Sequence, residues 1–130
     1  MIGDSIEFKS AYIINISIDF EIVVLPNFNN SDVILAGINS LKEHFNRNNW
    51  QINQPILMRD LYVMLDKIPG VQTVKDVKIK NKAGTSSGYS KYAYDIDSAT
   101  QNQVIYPSLD PSIFEVKYPN SDIKGRVVPL

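Results

Sequence analysis

The first regular pattern along the chain is a long alternation of apolar and polar residues between Ile13 and Leu25. One side of it would carry Ile14, Ile16, Ile18, Phe20, Ile22 and Val24, and the other side Asn15, Ser17, Asp19, Glu21 and Val23. A repeat of two residues predicts a β-strand with one buried face. At about 3.3 Å per residue the strand would be about 40 Å long, longer than most strands. We therefore expect one end to project beyond the domain or to pair with another chain.

Two amphipathic helices are predicted next, because apolar residues recur at three- and four-residue spacing. The first is expected to follow Pro26 and a polar turn, with Ser31 as its N-cap. Its apolar face would consist of Ile34, Ile38, Leu41 and Phe45. The second is expected to have Pro55 in its first turn and to run up to Ile68. Its apolar face would consist of Met58, Leu61, Tyr62, Leu65 and Ile68.

The stretch from Asp60 to Lys80 joins the second helix directly to another strand. Pro69 cannot continue a helix, and Gly70 accepts the left-handed conformation that commonly ends one. A strand that leaves from such a cap must lie back against its helix. Its apolar anchors would be Val71, Val74, Val77 and Ile79. Their irregular spacing predicts a β-bulge or a bend near Lys75 and Asp76.

The remainder of the chain is rich in turn residues. Residues 81–90 are expected to form an exposed loop, and Tyr92, Tyr94 and Ile96 alternate as in a further strand. The segment from Ile113 to Lys117 would be a short strand. The tail from residue 105 to residue 130 contains Pro107, Pro111, Pro119 and Pro129. Each proline removes a backbone donor, so we expect this tail to lie extended across a surface rather than to build an interior sheet.

The order of these elements predicts an α+β fold. Both helices need a sheet to cover their apolar faces, which favours a two-layer sandwich, a ferredoxin-like variant. Its two helices would pack on a mixed or antiparallel sheet, followed by a β-rich, proline-rich C-terminal extension. We expect residues 1–12 to be an N-terminal arm or linker and residues 13–82 to be the core domain. Residues 83–130 would be a loop and β-rich interface extension that forms one compact unit with the core.

Composition and charge exclude several classes of function. The chain has 13 Lys and Arg against 14 Asp and Glu, a formal net charge of -1. It therefore has no broad basic field, and we expect neither nucleic acid nor a membrane as partner. The absence of cysteine excludes disulfides, thiolate metal sites and a Cys nucleophile. The N-terminus does not resemble a signal peptide, and no apolar run approaches the roughly 20 residues that span a bilayer.

Candidate catalytic and metal-binding residues are few. His44 has no second histidine and no carboxylate four residues later, so we interpret it as a solvated residue on the helix surface. Asp95 and Asp97 would share a strand face, but they lack the further oxygen ligands of a calcium loop. Asp19 and Glu21 also share a strand face, and we interpret both as solvated. We expect no cofactor, no metal and no small-molecule substrate.

The tyrosines of the last third of the chain point to another kind of function. They are Tyr89, Tyr92, Tyr94, Tyr106 and Tyr118. Tyrosine is amphipathic and enriched at protein interfaces. Basic residues that would accompany aromatic residues in a single-strand nucleic-acid site are sparse here and are opposed by acidic ones. The pattern indicates a protein–protein interface, with ordinary packing as the alternative.

Two stretches carry a resemblance to a known family. DFEIVVLP, followed by a helix and INQPILMRDLYVMLDKIPGVQTVKDVKI, resembles the C-terminal part of the baseplate J-like family of contractile phage tails. IYPSLDPSIFEVKYPNSDIKGRV resembles the end of the large baseplate wedge subunit of T-even-like phages. The resemblance covers most of residues 18–127. It implies a structural, non-enzymatic wedge protein of the virion tail baseplate, assembled in the host cytoplasm. Because such subunits are several times longer, it also implies a C-terminal fragment or a small relative.

The resemblance also implies the partners, because family members join neighbouring wedges. They would be a second copy of this chain, through dimer contacts, and other baseplate wedge proteins. Arguments from exposure select the contact residues Tyr106, Ile113, Phe114, Tyr118 and Arg126, the last as a polar or ion-pair anchor. Two other classes stay open: a small adaptor that binds peptides by strand addition, and an enzyme or ligand-binding domain with a pocket between sheet and helices.

Overall fold

The computed structural model describes residues 12–46, 50–108 and 111–130. The arm expected at residues 1–12 lies outside this range except for Tyr12. That residue begins the first strand.

Four α-helices and two sheets make up the described chain, which confirms the α+β class. The strands are β1 (Tyr12–Val24), β2 (Ile56–Leu57), β3 (Val71–Lys82), β4 (Thr100–Gln101), β5 (Val104–Ile105), β6 (Ser112–Glu115) and β7 (Ile123–Val127). The helices are α1 (Asn30–His44), α2 (Met58–Asp66), α3 (Ile96–Ala99) and α4 (Pro119–Asp122). A short 3-10 helix spans Thr85–Ser87 within the loop that follows β3.

The long strand β1 is the centre of the main sheet. It pairs antiparallel with β3 along one edge, from Asn15 to Val24. Along its other edge it pairs in parallel with β6 near its start and with β7 further on. Both ends of β1 therefore pair with strands of the same chain. Its length can be explained without pairing to another chain.

The tail takes part in the main sheet, so the expectation that it lies across the surface is wrong for β6 and β7. These two strands follow one another along the same edge of β1 and are separated by α4. Pro119 stands at the first position of α4, where a missing backbone donor costs nothing. The prolines therefore interrupt an edge strand instead of excluding the tail from the sheet.

Both long helices pack on the same face of the sheet, as the two-layer prediction requires. A Cβ added at Gly37 of α1 would lie 2.9 Å from the Phe20 ring of β1 and 3.4 Å from Leu65 of α2. Phe20, Leu41, Leu61 and Leu65 are almost completely buried. Full burial of a side chain of this kind contributes about 1.5–3 kcal/mol to folding.

The starts of both helices differ from the sequence prediction. Asn29, rather than Ser31, is the N-cap of α1, and its side chain accepts a hydrogen bond of 3.1 Å from the Asp32 N–H. Helix α2 begins at Met58, so Pro55 precedes β2 instead of lying in a first helical turn. Ile56 is fully buried and pairs with β5, and this tertiary pairing outweighs the local preference of proline.

The connection from α2 to β3 agrees with the sequence prediction. Gly70 has φ of +98°, and β3 begins at the next residue. Tyr62 of α2 accepts a hydrogen bond of 3.1 Å from the Val77 N–H, which holds β3 against the helix. The bulge is also confirmed, because Glu21 pairs with Asp76 whereas Ile22 pairs with Val74.

The strand expected at Tyr92–Ile96 is wrong. Ile96 begins the short helix α3, because the Asp95 side chain accepts a hydrogen bond of 3.1 Å from the Ser98 N–H and so caps it. Strands β4 and β5 then form a hairpin and, with β2, a second small sheet. Asn102 and Gln103 at its turn have φ of 52° and 64°, as a type I′ turn requires.

Gly125 of β7 provides a test of the central packing. A Cβ at this position would overlap the ring of Phe20, which lies opposite in the register. We expect Gly125→Ala to lower the free energy of unfolding by about 1–3 kcal/mol, measured by urea denaturation. The neighbouring exposed variant Lys124→Ala should change it by less than about 0.5 kcal/mol. Equal effects of the two variants would contradict the packing of Phe20 against β7.

Candidate interaction surface

Two of the five predicted contact residues are part of the core. Phe114 has 2% of its surface exposed and Ile113 has 8%. Both belong to β6, which pairs with the start of β1. Exposure was the reason for selecting them, so this reason does not hold for either residue in the folded chain. The remaining three, Tyr106, Tyr118 and Arg126, are exposed at their side chains.

Tyr106 follows β5 and has 47% of its surface exposed. The backbone N–H and carbonyl of Tyr106 are both hydrogen-bonded. Its N–H donates to the Ala99 carbonyl at 3.1 Å, and its carbonyl accepts from the Tyr94 hydroxyl at 2.7 Å. The aromatic ring is therefore presented to solvent from a fixed backbone.

Tyr118 is 39% exposed and lies at the start of α4. Its carbonyl accepts hydrogen bonds from the N–H groups of Ser121 and Asp122 at 3.0 and 2.8 Å. Its ring meets that of Tyr89 edge to face, with centroids 5.3 Å apart. A Cβ added at Gly88 would overlap the Tyr118 hydroxyl, so the loop after β3 packs closely against this ring.

A tyrosine–carboxylate contact, which no local sequence pattern indicated, anchors the same region. The Tyr89 hydroxyl donates to both carboxylate oxygens of Asp122, at 3.0 and 2.8 Å. Asp122 is buried. The hydrogen bond to Asp122 raises the pKa of Tyr89 above its ordinary value of 10.0. The contact ties the loop after β3 to the start of β7.

A second aromatic pair lies near the start of β1. The rings of Tyr12 and Tyr92 are tilted with centroids 4.4 Å apart, and both residues are exposed. The Lys91 ammonium lies 5.5 Å from the centroid of Tyr92. The loop after β3 therefore places an exposed aromatic ring beside the start of β1, a contact between distant residues that no local sequence pattern predicts.

Arg126 forms an ion pair with Glu21, its neighbour in the register of β7 and β1. Both side chains lie on the face of the sheet that points away from α1 and α2, because Phe20 and Gly125 occupy the helix-facing positions. Arg126 is more exposed than Glu21 and reaches out from this face.

His44 is half-buried, which corrects its interpretation as a solvated surface residue. Its ring lies 4.9 Å from that of Phe45 and 5.4 Å from that of Trp50, centroid to centroid. Desolvation lowers the pKa of His44, opposed by the charge of Asp60. In the described part of the chain, no group of three or more His, Asp or Glu residues could hold a metal ion.

The predicted carboxylate pairs have other roles. Asp95 caps α3, and its hydrogen bonds with Ser98 lower its pKa. Asp97 lies within that helix, so the two residues do not share a strand face as expected. Asp19 is 3.9 Å from the Lys80 ammonium, and Glu21 is paired with Arg126.

A groove of about 790 Å³ lies between α1 and β6. Its walls include Phe45, Trp50 and Phe114, with Lys42 and Lys117 also on its lining. The Trp50 indole N–H is buried and has no hydrogen-bond partner among the described residues. The lining also contains polar and charged residues, namely Asn39, Glu43, Asn46 and Glu115. Volume and apolar walls resemble those of small-ligand sites.

Comparison with known proteins adds no family to these observations. No protein-family model matches the sequence, and no curated protein shows significant similarity to it. None of the helices in the described ranges combines the length and apolar character needed to cross a bilayer.

Phe114 and Tyr106 form a matched test of these placements. We expect Phe114→Ala to lower the free energy of unfolding by about 3–5 kcal/mol, because it leaves a cavity between α1 and β6. Tyr106→Ala should lower it by less than about 1 kcal/mol. Thermal and urea denaturation of the isolated chain would measure both values. A Phe114→Ala variant as stable as the native chain would show that Phe114 is not a core residue.

The Tyr89–Asp122 contact predicts a dependence of stability on alkaline pH. The folded-state pKa of Tyr89 is raised, so the contribution is complete below pH 10.0 and is lost as the pH rises through the folded-state pKa. As the pH rises above 10.0, the melting temperature of the native chain should fall more steeply than that of Tyr89→Phe. Parallel melting curves against pH in the two proteins would refute this contact.

Proposed function

We propose that this chain is a structural subunit of a contractile-tail phage baseplate wedge and joins neighbouring wedge subunits by protein–protein contacts. Its partners would be a second copy of the chain and other wedge proteins, and its location the tail baseplate of the virion after assembly in the host cytoplasm. The proposal rests on the sequence resemblance and on the aromatic surface of the tail. It includes no catalytic step.

The presentation of Tyr106 and Tyr118 carries the proposal. Both rings are exposed, whereas the backbone that carries each of them is hydrogen-bonded on the same chain. A large aromatic side chain on a fixed backbone loses little conformational entropy when a partner covers it. Such residues are frequent among those that contribute most to binding at protein interfaces.

The environments of the candidate catalytic groups also favour a structural role. Asp95 caps a helix, and Glu21 is paired with Arg126. His44 packs on Phe45 and Trp50. Each of these side chains therefore has a structural contact in the folded chain, and none is paired with another of them as a general acid and base would be.

Solution mass provides the test. We expect size exclusion with light scattering to show a dimer that forms with increasing concentration of the native chain. Tyr106→Ala should raise the dissociation constant with little change in melting temperature. The double variant Tyr106→Ala and Tyr118→Ala should raise it about tenfold or more, with a lower melting temperature because the Tyr118 ring also packs on Tyr89.

Leu35→Ala is the matched control, because Leu35 of α1 is also exposed but lies outside the tail. This variant should associate like the native chain. A native chain that stays monomeric at all concentrations, and also when purified wedge proteins are added, would contradict the proposed role.

A small adaptor that binds an extended peptide by strand addition is the second candidate. Within the described residues β3 has β1 as its strand partner, so its outer edge is unpaired by other strands. The Val77 N–H on this edge donates to the Tyr62 hydroxyl at 3.1 Å, so a peptide could not bind that group without displacing Tyr62. An adaptor would bind one peptide per chain without self-association, which the same light-scattering experiment distinguishes.

A further inference from the structure

The sheet face that points away from α1 and α2 carries a regular array of charges. Register places Asp19 of β1 between Lys78 of β3 and Lys124 of β7. One step along, Glu21 lies between Asp76 and Arg126. We call this array, together with the two further lysines of β3, the charged sheet face; it consists of Asp19, Glu21, Asp76, Lys78, Lys80, Lys82, Lys124 and Arg126.

The charged sheet face has more cations than the fold uses. Its three carboxylates are all paired within the face, in the contacts Lys80–Asp19, Lys78–Asp76 and Arg126–Glu21. Lys82 and Lys124 have no ion-pair partner among the described residues. Glu115 of β6 lies opposite Asn15 on the same face, so five cations stand against four carboxylates there. The face therefore has a surplus of one positive charge, whereas the whole chain has a net charge of -1.

The end of the charged sheet face that carries Asp19 and Glu21 is accessible to solvent. The Lys78, Lys80 and Arg126 side chains are 67%, 65% and 72% exposed. Towards the other end, the loop after β3 covers it, since the Ser90 N–H donates to the Asn15 side chain at 2.7 Å. Exposed pairs of this kind contribute little to stability, about 0–1 kcal/mol each, so a partner could displace them at little cost to the fold.

We propose that the charged sheet face binds an acidic surface of a neighbouring protein in the assembly. The partner's carboxylates would lie opposite the two outer rows of lysine and arginine. This inference rests on the proposed function, since it gives the chemistry of one of the contacts through which the wedge would be joined. Complementary charge of this kind fixes register and accelerates association more than it adds affinity.

The arrangement favours a protein over a nucleic acid. A phosphate backbone is negative along its whole length and would bring like charges near Asp19 and Glu21, which lie between the two cationic rows. A protein surface can place a basic or neutral side chain opposite this central row. The interleaved carboxylates thus act against a uniform polyanion and favour a patterned acidic partner.

Two synthetic peptides of equal net charge and a duplex test the proposal. One peptide repeats Glu-Lys-Glu, which allows a base between two acids, and the other is poly-glutamate; the duplex is a 20-base-pair DNA. At low salt, isothermal titration of the full chain should show the tightest binding with the patterned peptide. Binding should weaken as salt rises, because the charges are exposed. No binding of the patterned peptide, or tighter binding of the DNA, would overturn the proposal.

Matched charge reversals locate the site. Lys80→Glu with Lys124→Glu should weaken binding of the patterned peptide about tenfold or more, whereas Arg59→Glu with Lys67→Glu, on the helix side of the sheet, should change it less than about threefold. Both pairs of residues are exposed, and circular dichroism checks the fold of both variants. Equal effects of the two double variants would overturn the proposal, because net charge alone would then explain binding.

The failure of this inference is distinguishable from failure of the proposed function. In one outcome, the Tyr106→Ala and Tyr118→Ala variant loses self-association, but the native chain does not bind the peptide. This result would support the wedge role and refute the charged contact. In the other outcome, the native chain binds the peptide but associates neither with itself nor with wedge proteins. This result would support the charged contact and refute the wedge role.

Discussion

The two-sided pairing of β1 is the interaction on which the rest of the structure depends. With β3 on one edge and β6 and β7 on the other, its even-numbered side chains from Ile14 to Ile22 are held in the middle of the sheet and are almost completely buried. Phe20 occupies the point at which α1, α2 and β7 meet, and the glycines at positions 37 and 125 leave room for its ring. Larger residues there would separate the helices from the sheet.

Because the tail pairs with β1, it is part of the core as well as of the surface. Ile113 and Phe114 are buried in the core, so the fold itself depends on them. The pairing of β6 with β1 also places Tyr118, three residues after β6, next to the sheet. Tyr106 is held separately, by hydrogen bonds with Ala99 and Tyr94. A tail that is part of the sheet presents these rings in fixed positions, which a tail spread loosely over the surface would not do.

Local periodicity was sufficient for some elements and insufficient for others. The alternation in β1, the apolar face of α2, the turn at Gly70 and the bulge near Lys75 are properties of neighbouring residues, and each could be predicted. The parallel pairing of β1 with the tail joins residues about 100 positions apart, for example Ile13 with Ile113, and no local pattern encodes it. The hairpin at Asn102 was missed for another reason, since its turn lacks the glycine that normally signals a type I′ turn.

The same limit applies to the interaction surface. Arg126 could be selected as an ion-pair anchor from the sequence, but its partner Glu21 could not, because their contact follows from the register of β7 on β1. That register also brings Asp19 between two lysines and so creates the charged sheet face. In the proposed assembly, aromatic rings and charges would have different physical roles. The rings would provide contact area and affinity, whereas the charges, which water screens, would act on approach and register. Because both are positioned by β1, a change in its pairing would alter the two surfaces together.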